Sequence, residues 1–121
     1  MDLITKFLQL HNQLKVYHWQ TDSYAQHQAF GGTYSEFTDL IDTFIEEFMG
    51  KYSRIMAKGG FKVESSNITD KDPEKYIEEY ISFLVTELPK QLKPEDTNLL
   101  NIRDEMLGEL QKLKYLLTLN K

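Results

Sequence analysis

Residues 3–18, LITKFLQLHNQLKVYH, decide the fold class, because their apolar side chains recur at steps of three and four. This repeat builds one face of an α-helix. The same repeat returns in three later segments, and no segment alternates apolar and polar residues as a strand does. The sequence therefore predicts an all-α, antiparallel four-helix bundle. The inward positions of the first helix are Leu3, Phe7, Leu10, His11, Leu14, Tyr17 and His18.

The second helix is predicted to be long. A capping-box signal at Ser23 starts it, and its apolar series runs from Tyr24 to Ile55 before Gly59 and Gly60. This span predicts about 35 helical residues, or roughly 50 Å. Gly31-Gly32 lies inside it, and two glycines in a helix predict a kink or a close helix contact.

The second half of the chain is predicted to hold two shorter helices. Residues 59–71 lack periodicity and predict a surface loop, after which Asp72-Pro73-Glu74 caps a third helix. Pro89 predicts that this helix ends or bends near Leu88, and a fourth helix begins at residues 94–97. The predicted inward positions are Tyr76, Ile77, Tyr80, Ile81, Leu84 and Leu88, then Leu99, Ile102, Met106, Leu110, Leu113 and Leu117.

Length and composition restrict the classes of function. The 121 residues predict one domain, residues 1–121, and no apolar run approaches the roughly 18 residues of a membrane helix. We expect a cytoplasmic protein with no membrane partner. The chain has no cysteine, so any metal site must use His and carboxylate. The net charge is −5, and only Asn120 and Lys121 are expected to extend past the last helix, so nucleic acid is not an expected partner.

The candidate ligands are histidines on the first two helices and a carboxylate pair. His18 and His27 stand in the first quarter of the chain, and Asp42 and Glu46 lie four apart on one helix face. Each feature also has an ordinary interpretation, as hydrogen-bonded core histidines and a solvated acidic face. His27 and Asp42 are separated by roughly 22 Å along one helix, so they cannot hold one ion in one chain. If both are ligands, two chains related by a twofold axis must share the site.

The sequence resembles the Dps mini-ferritins over about residues 8–60. The resemblance rests on Lys15 to Trp19, which is similar to that family's lysine-x-x-His-Trp element, and on His27, Asp42-Thr43 and Glu46 at similar spacings. It continues through Phe30, Tyr34 and the pair Gly59-Gly60, and Asp96-Thr97 to Leu117 looks like the family's last helix.

The resemblance implies a ferritin-like bundle with a ferroxidase site across a subunit twofold, where Fe(II) is oxidised to Fe(III) by peroxide or oxygen. His18 and His27 would be nitrogen ligands, Asp42 a bridging carboxylate and Glu46 a terminal carboxylate. Trp19 and Tyr34 would lie beside the site, most simply in core packing. A twofold dimer or a larger cage is implied, for iron storage or detoxification.

The sequence departs from the Dps pattern in three places. The segment between His18 and His27 is shorter, Glu47 stands where arginine is common, and the connection after the second helix has no room for the family's small interface helix. These departures favour an alternative class, a metal-free helical oligomerisation or adaptor module that has lost the ferroxidase chemistry. Residue type alone does not distinguish iron from zinc at the candidate site.

Overall fold

A computed structural model describes residues 2–119, and these contain helices and no strand. The four α-helices are α1 (Leu3–Gln20), α2 (Tyr24–Lys51), α3 (Pro73–Ser82) and α4 (Thr97–Leu117). The all-α prediction of a helical bundle is confirmed. Met1, Asn120 and Lys121 lie outside the described residues. The prediction that Asn120 and Lys121 extend past the last helix therefore lies outside the described residues as well. None of the described helices combines the length and apolarity needed to span a membrane.

The apolar stripe of α1 is buried as predicted, but its histidines are not. Asp2 caps the helix by accepting a hydrogen bond from the Thr5 main-chain N–H at 2.8 Å. His11 and His18 were both predicted to point inward, and both are only partly buried at the edge of the stripe. The residues of the stripe that are fully enclosed are Leu3, Phe7, Leu10, Leu14 and Tyr17.

Helices α1 and α2 are joined by residues 21–23 and contact each other along their length. Ser23 caps α2 by accepting a hydrogen bond from the Gln26 main-chain N–H, as the capping signal predicted. Phe30, Phe37 and Phe44, seven residues apart, present one fully buried face of α2. The Phe44 ring meets the Phe7 ring edge-on, with 5.2 Å between centroids.

The predicted length of the second helix is wrong, because α2 ends at Lys51. The side chains of Lys51 and Tyr52 both bind the buried carboxylate of Asp96, which holds the helix end against the start of α4. Ile55 nevertheless packs against the core from the loop, so its apolar character did not indicate helix. Gly59 and Gly60 have φ angles of 81° and 89° and form a turn in this loop.

Residues 52–72 connect α2 to α3 without a helix of their own, and α1 holds this connection in place. The Gln13 side-chain amide donates to the Ser66 carbonyl at 2.9 Å and accepts from the Ser66 N–H at 2.8 Å. One turn on, the Tyr17 hydroxyl donates to the Lys71 carbonyl at 2.9 Å. Gln20 accepts from the Ile68 N–H at 2.8 Å. The predicted surface loop is therefore present, but it begins earlier and is pinned to α1.

Helix α3 begins as predicted, with Asp72 as its cap, but it ends at Ser82, before the predicted end or bend near Leu88. A π-helical segment, Phe83–Glu87, is followed by a 3₁₀ turn, Leu88–Gln91, which contains Pro89. The Arg103 guanidinium of α4 donates to the Leu84 carbonyl within the π-helical segment. The inward stripe of α4 is buried at Leu99, Ile102, Met106, Leu110 and Leu113, while Leu117 is partly buried.

Candidate metal centre

His18 and His27 form a stacked imidazole pair across the α1–α2 junction. Their ring centroids are 3.7 Å apart and the ring planes differ by 16°. The His18 Nδ1 lies 2.6 Å from the His27 carbonyl oxygen, and the His27 Nδ1 lies 2.7 Å from the His18 carbonyl oxygen. A carbonyl oxygen only accepts, so each Nδ1 carries the proton that it donates. In a neutral imidazole held this way, Nε2 has the lone pair that binds a metal ion.

Gly31 explains how the imidazole pair fits against α2. A Cβ added at Gly31 would lie 2.9 Å from Cε1 and 3.0 Å from Nδ1 of His18, so only glycine leaves room for this ring. The adjacent Gly32 is exposed, and a Cβ there would meet nothing within 4 Å. The glycine pair thus marks a close helix contact, one of the two predicted alternatives, and Gly31 alone makes that contact.

Tyr34 packs beside the imidazole pair as predicted, whereas Trp19 does not lie in the core. The Tyr34 ring meets the His18 ring edge-on at 5.4 Å and the His11 ring edge-on at 5.8 Å. The Lys15 ammonium lies 5.6 Å from the Tyr34 ring centroid. Trp19 is 69% exposed, so the expectation of core packing for it is wrong. Its side chain stands at the surface.

His11 has a partner within its own chain. Its Nε2 lies 2.9 Å from the Thr38 hydroxyl oxygen, and that hydroxyl donates to the Tyr34 carbonyl at 3.1 Å. The Thr38 oxygen therefore accepts from His11. Burial, with a further contribution from the nearby Lys15 ammonium, lowers the pKa of His11. His11 is thus a neutral, hydrogen-bonded side chain, in agreement with the ordinary interpretation of an inward histidine.

The structure does not bring Asp42 and Glu46 to the imidazole pair of the same chain. Both carboxylates are exposed on α2. Asp42 lines a cavity of about 150 Å³ together with His11, and Glu46 lines a groove of about 430 Å³ near the C-terminal end of the helix. Among residues 2–119, no three His, Asp or Glu side chains are grouped so that they could hold a metal ion.

The stacking of the two rings restricts how they could bind metal. An ion on an imidazole lies in the ring plane at about 2.1 Å from the nitrogen. Because the planes of His18 and His27 are nearly parallel and 3.7 Å separates the centroids, an ion in one plane lies outside the other. The pair therefore suits one ion on each ring.

Comparison with known proteins places the chain in a family. A sequence model of DUF5856, described as a family of unknown function, matches residues 18–117. The chain belongs to the DUF5856 family. A relative in Enterobacteria phage T4, described as "Uncharacterized 14.6 kDa protein in mobD-ri intergenic region", is 29% identical over 102 residues, which cover 84% of this chain and 74% of that protein. No solved structure matches the chain. The DUF5856 segment includes all four candidate ligands.

A second polar cluster within the DUF5856 segment was missed by the sequence analysis. Asp96 is fully buried, and its carboxylate accepts hydrogen bonds from the Lys51 ammonium, the Tyr52 hydroxyl and the Lys93 N–H. Burial alone would raise the pKa of Asp96, but these donors outweigh it and lower the pKa to about 2. In the sequence Asp96 reads only as a helix cap, because its partners at 51 and 52 are distant along the chain.

Proposed function

We propose that this protein binds Fe(II) at a site shared by two copies of the chain and oxidises it with peroxide or oxygen. His18 and His27 of one copy would supply nitrogen ligands. Asp42 of the other copy would bridge two ions, and Glu46 would bind as a terminal carboxylate. Iron is the substrate here, and imidazole with carboxylate is a ligand set that suits it. The site would serve iron storage or detoxification.

The observation that carries this proposal is the orientation of the two imidazoles. Both Nδ1–H groups donate to main-chain carbonyls, which fixes both rings and directs Nε2 to act as the ligand atom. Metal-binding histidines are commonly held by a hydrogen bond of this kind from the other ring nitrogen. One ion on each ring, as the stacking requires, is also what a bridging Asp42 would need.

The same proposal includes a ferritin-like, antiparallel bundle in the cytoplasm, assembled as a twofold dimer or a larger cage. Contacts between α1 and α2 support the antiparallel order. His18 meets His27, His11 meets Thr38, and Phe7 meets Phe44, so the partners move forward on α2 as they move back on α1. The exposure of Asp42 and Glu46 leaves both carboxylates open to a second copy.

In the proposed reaction the protein positions ions and the oxidant removes their electrons. Each Fe(II) gives up one electron. Two neighbouring ions, with two protons from the solvent, therefore reduce one hydrogen peroxide to two water molecules, or one dioxygen to one hydrogen peroxide. The chain contributes fixed nitrogen and oxygen ligands and leaves coordination positions for the oxidant. The Tyr34 ring packs edge-on against the His18 ring and helps to hold it in place.

The first test is an anaerobic Fe(II) titration combined with the solution mass. We expect one or two ions per chain in a dimer or larger assembly. His27→Ala and Asp42→Ala should each remove most Fe(II) oxidation with unchanged helix content. His11→Ala is the matched control, because its imidazole already has Thr38 as a partner, and it should retain oxidation. Unchanged oxidation in both His27→Ala and Asp42→Ala would refute the proposed ligands.

A mixing experiment tests whether the site is shared. If equal amounts of His27→Ala and Asp42→Ala exchange subunits, each mixed dimer has one intact site. About a quarter of wild-type oxidation should return, because half of the dimers are mixed and half of their sites are complete. Consumption of peroxide or oxygen in proportion to iron distinguishes this reaction from passive zinc binding. No recovery after demonstrated exchange would contradict a site built from two chains.

The second candidate function is a metal-free oligomerisation or adaptor module. It is favoured by the lack of any three grouped metal ligands among residues 2–119. It is also favoured by Glu47, whose carboxylate accepts a hydrogen bond from the Asn98 side chain at 2.7 Å and so takes part in bundle packing. An oligomer that binds no Fe(II) in the titration would establish this candidate in place of the first.

A further inference from the structure

We propose that the loop after α2 docks on an anionic lipid surface through its tip, residues 54–62. The inference goes beyond the proposed function and is independent of it, because the tip contains none of the candidate metal ligands. A peripheral contact needs no spanning helix. It departs from the sequence expectation of no membrane partner, which followed from the lack of a long apolar run. The tip carries three cationic side chains and two exposed apolar ones, which are Arg54, Lys58 and Lys62, and Met56 and Phe61.

Acidic and basic residues are segregated along the chain. Residues 16–50 contain six acidic residues and no lysine or arginine, whereas residues 51–62 contain four lysines or arginines and no acidic residue. Of these four, Lys51 binds Asp96 at the end of α2. The net charge of −5 conceals this cationic segment. Charges at a surface act over a Debye length of about 10 Å rather than over the whole molecule, so the segment presents its own positive potential.

The remaining cations of the tip are not neutralised within the chain. Arg54, Lys58 and Lys62 are all exposed. None of the three takes part in an ion pair among residues 2–119. Arg54 lines the same groove as Glu46, so Lys58 and Lys62 are the cations that are most clearly left for an external anion.

A turn at the tip presents two apolar side chains together. The Gly60 N–H donates to the Ala57 carbonyl at 3.0 Å, and both Gly59 and Gly60 have positive φ angles. Met56 and Phe61 adjoin the two ends of this turn, which the hydrogen bond brings close. Met56 is 83% exposed, more than any other large apolar side chain among residues 2–119, and Phe61 is 38% exposed.

The tip projects from chain that is fixed on both sides. Before the turn, Ile55 packs against the hydrophobic core. After it, both main-chain polar groups of Ser66 bind the Gln13 side chain of α1. Ends that are already fixed reduce the conformational entropy that docking would cost.

An anionic bilayer fits this combination of side chains. The negative surface potential of such a bilayer attracts lysine and arginine, and its interface between headgroups and acyl chains receives apolar side chains. A nucleic acid would bind the cations through its phosphates, but it offers no apolar phase for Met56. The bilayer is therefore the anionic partner that uses both the charges and the exposed apolar side chains of the tip.

The test is co-sedimentation of the full chain with vesicles made of equal parts of phosphatidylcholine and phosphatidylserine. Vesicles of phosphatidylcholine alone are the neutral comparison. We expect binding to the anionic vesicles, little binding to the neutral ones, and a loss of binding at high salt. Lys58→Gln and Lys62→Gln should each lower the partition coefficient roughly fivefold, which is the effect of one cation at an anionic surface. Met56→Gln should lower it about tenfold, because an apolar side chain no longer enters the interface.

The matched controls are two exposed residues of α4. Lys112→Gln removes an exposed cation and Tyr115→Gln an exposed apolar side chain elsewhere on the surface, and both should bind the anionic vesicles like wild type. Because the chain has no cysteine, Met56→Cys can also carry a polarity-sensitive dye at a single position. The emission of this dye should shift to shorter wavelength on anionic vesicles, whereas a dye on Tyr115→Cys should not respond.

Three results would overturn the inference. The first is the absence of binding to anionic vesicles, and the second is wild-type binding by Lys58→Gln, Lys62→Gln and Met56→Gln. The third is binding of a single-stranded oligonucleotide that Met56→Gln leaves unchanged while the dye at position 56 does not respond to vesicles, which would indicate a nucleic-acid partner. Vesicle binding by protein that fails to oxidise iron would support the lipid contact and refute the proposed chemistry alone.

Discussion

The two ends of α2 carry polar clusters that differ in their partners within the chain and in their exposure. At the C-terminal end, Lys51 and Tyr52 both bind the buried carboxylate of Asp96, and the cluster is complete within one chain. At the N-terminal end, His27 and His18 each use Nδ1 on a main-chain carbonyl and stand partly exposed. The first cluster holds two helices together. The second fixes two imidazole rings, and under the proposed function their Nε2 atoms bind metal ions.

The comparison shows that residue type alone does not distinguish a structural carboxylate from a candidate metal ligand. Asp96 and Asp42 are both aspartates of a helical bundle, yet Asp96 is buried among hydrogen-bond donors and Asp42 is exposed on α2. A buried carboxylate that already accepts several hydrogen bonds would have to give some of them up to bind a metal ion. Asp42 is therefore the better candidate for a ligand to a second copy.

The largest effect should come from breaking the C-terminal cluster. Asp96→Ala removes the shared acceptor and leaves the Lys93 N–H and the Tyr52 hydroxyl without it. The fully buried carboxylate is the shared centre of the contacts that join the end of α2 to the start of α4, so we expect Tm to fall by roughly 10 °C or more when they are lost. Thermal unfolding followed by circular dichroism measures the change. Glu95→Ala, at the exposed neighbouring position, is the control and should leave Tm nearly unchanged.

Acid should weaken the same cluster in wild-type protein. The pKa of Asp96 is lowered to about 2 in the fold, below the roughly 3.9 of an unfolded chain. A group with a depressed folded pKa stabilises the fold above its unfolded pKa and loses that contribution as pH falls toward the folded value. The Tm difference between wild type and Asp96→Asn should therefore narrow as pH falls from about 5 to 2. A difference that stays constant over this range would contradict the assignment.

Much of the fold was predictable because it follows from local patterns. The apolar repeats located the helices, and the caps at Ser23 and Asp72 located two of their starts. The end of α2 was not predictable, because Ile55 continues the repeat in sequence while packing from a loop. Lys51 ends the helix through a contact with Asp96, and no local signal records a partner 45 residues away.

The four candidate ligands stay a prediction, and the geometry around them was only partly predictable. Spacing identified His18, His27, Asp42 and Glu46, and helix length indicated that one chain could not unite them. The stacking of the rings and their main-chain acceptors could not be predicted, because they depend on how closely α1 and α2 approach. The exposure of Trp19 was likewise hidden, since an aromatic residue beside a buried stripe reads as core.

The smallest expected effect is on the free energy of unfolding when either of two adjacent glycines, Gly31 or Gly32, is replaced by alanine. The comparison of the two variants is also the sharpest test of the imidazole pair. Gly31→Ala places a Cβ 2.9 Å from the His18 ring, which must move away from its hydrogen bond to the His27 carbonyl. The gain in helix propensity of about 1 kcal/mol is then offset, and we expect net destabilisation of about 1–2 kcal/mol. Gly32→Ala meets nothing within 4 Å and should stabilise the fold by about 0.5–1 kcal/mol.

Urea unfolding measures both glycine variants, and NMR of the imidazole side chains reports the His18 environment. Opposite signs for two neighbouring alanines would show that the ring, rather than the helix backbone, requires glycine at position 31. If Gly31→Ala stabilises the protein as much as Gly32→Ala and leaves the His18 resonances unchanged, the ring is not held against α2. The two imidazoles would then lack the fixed orientation from which their role as ligands was inferred, and the metal-free module would become the stronger candidate.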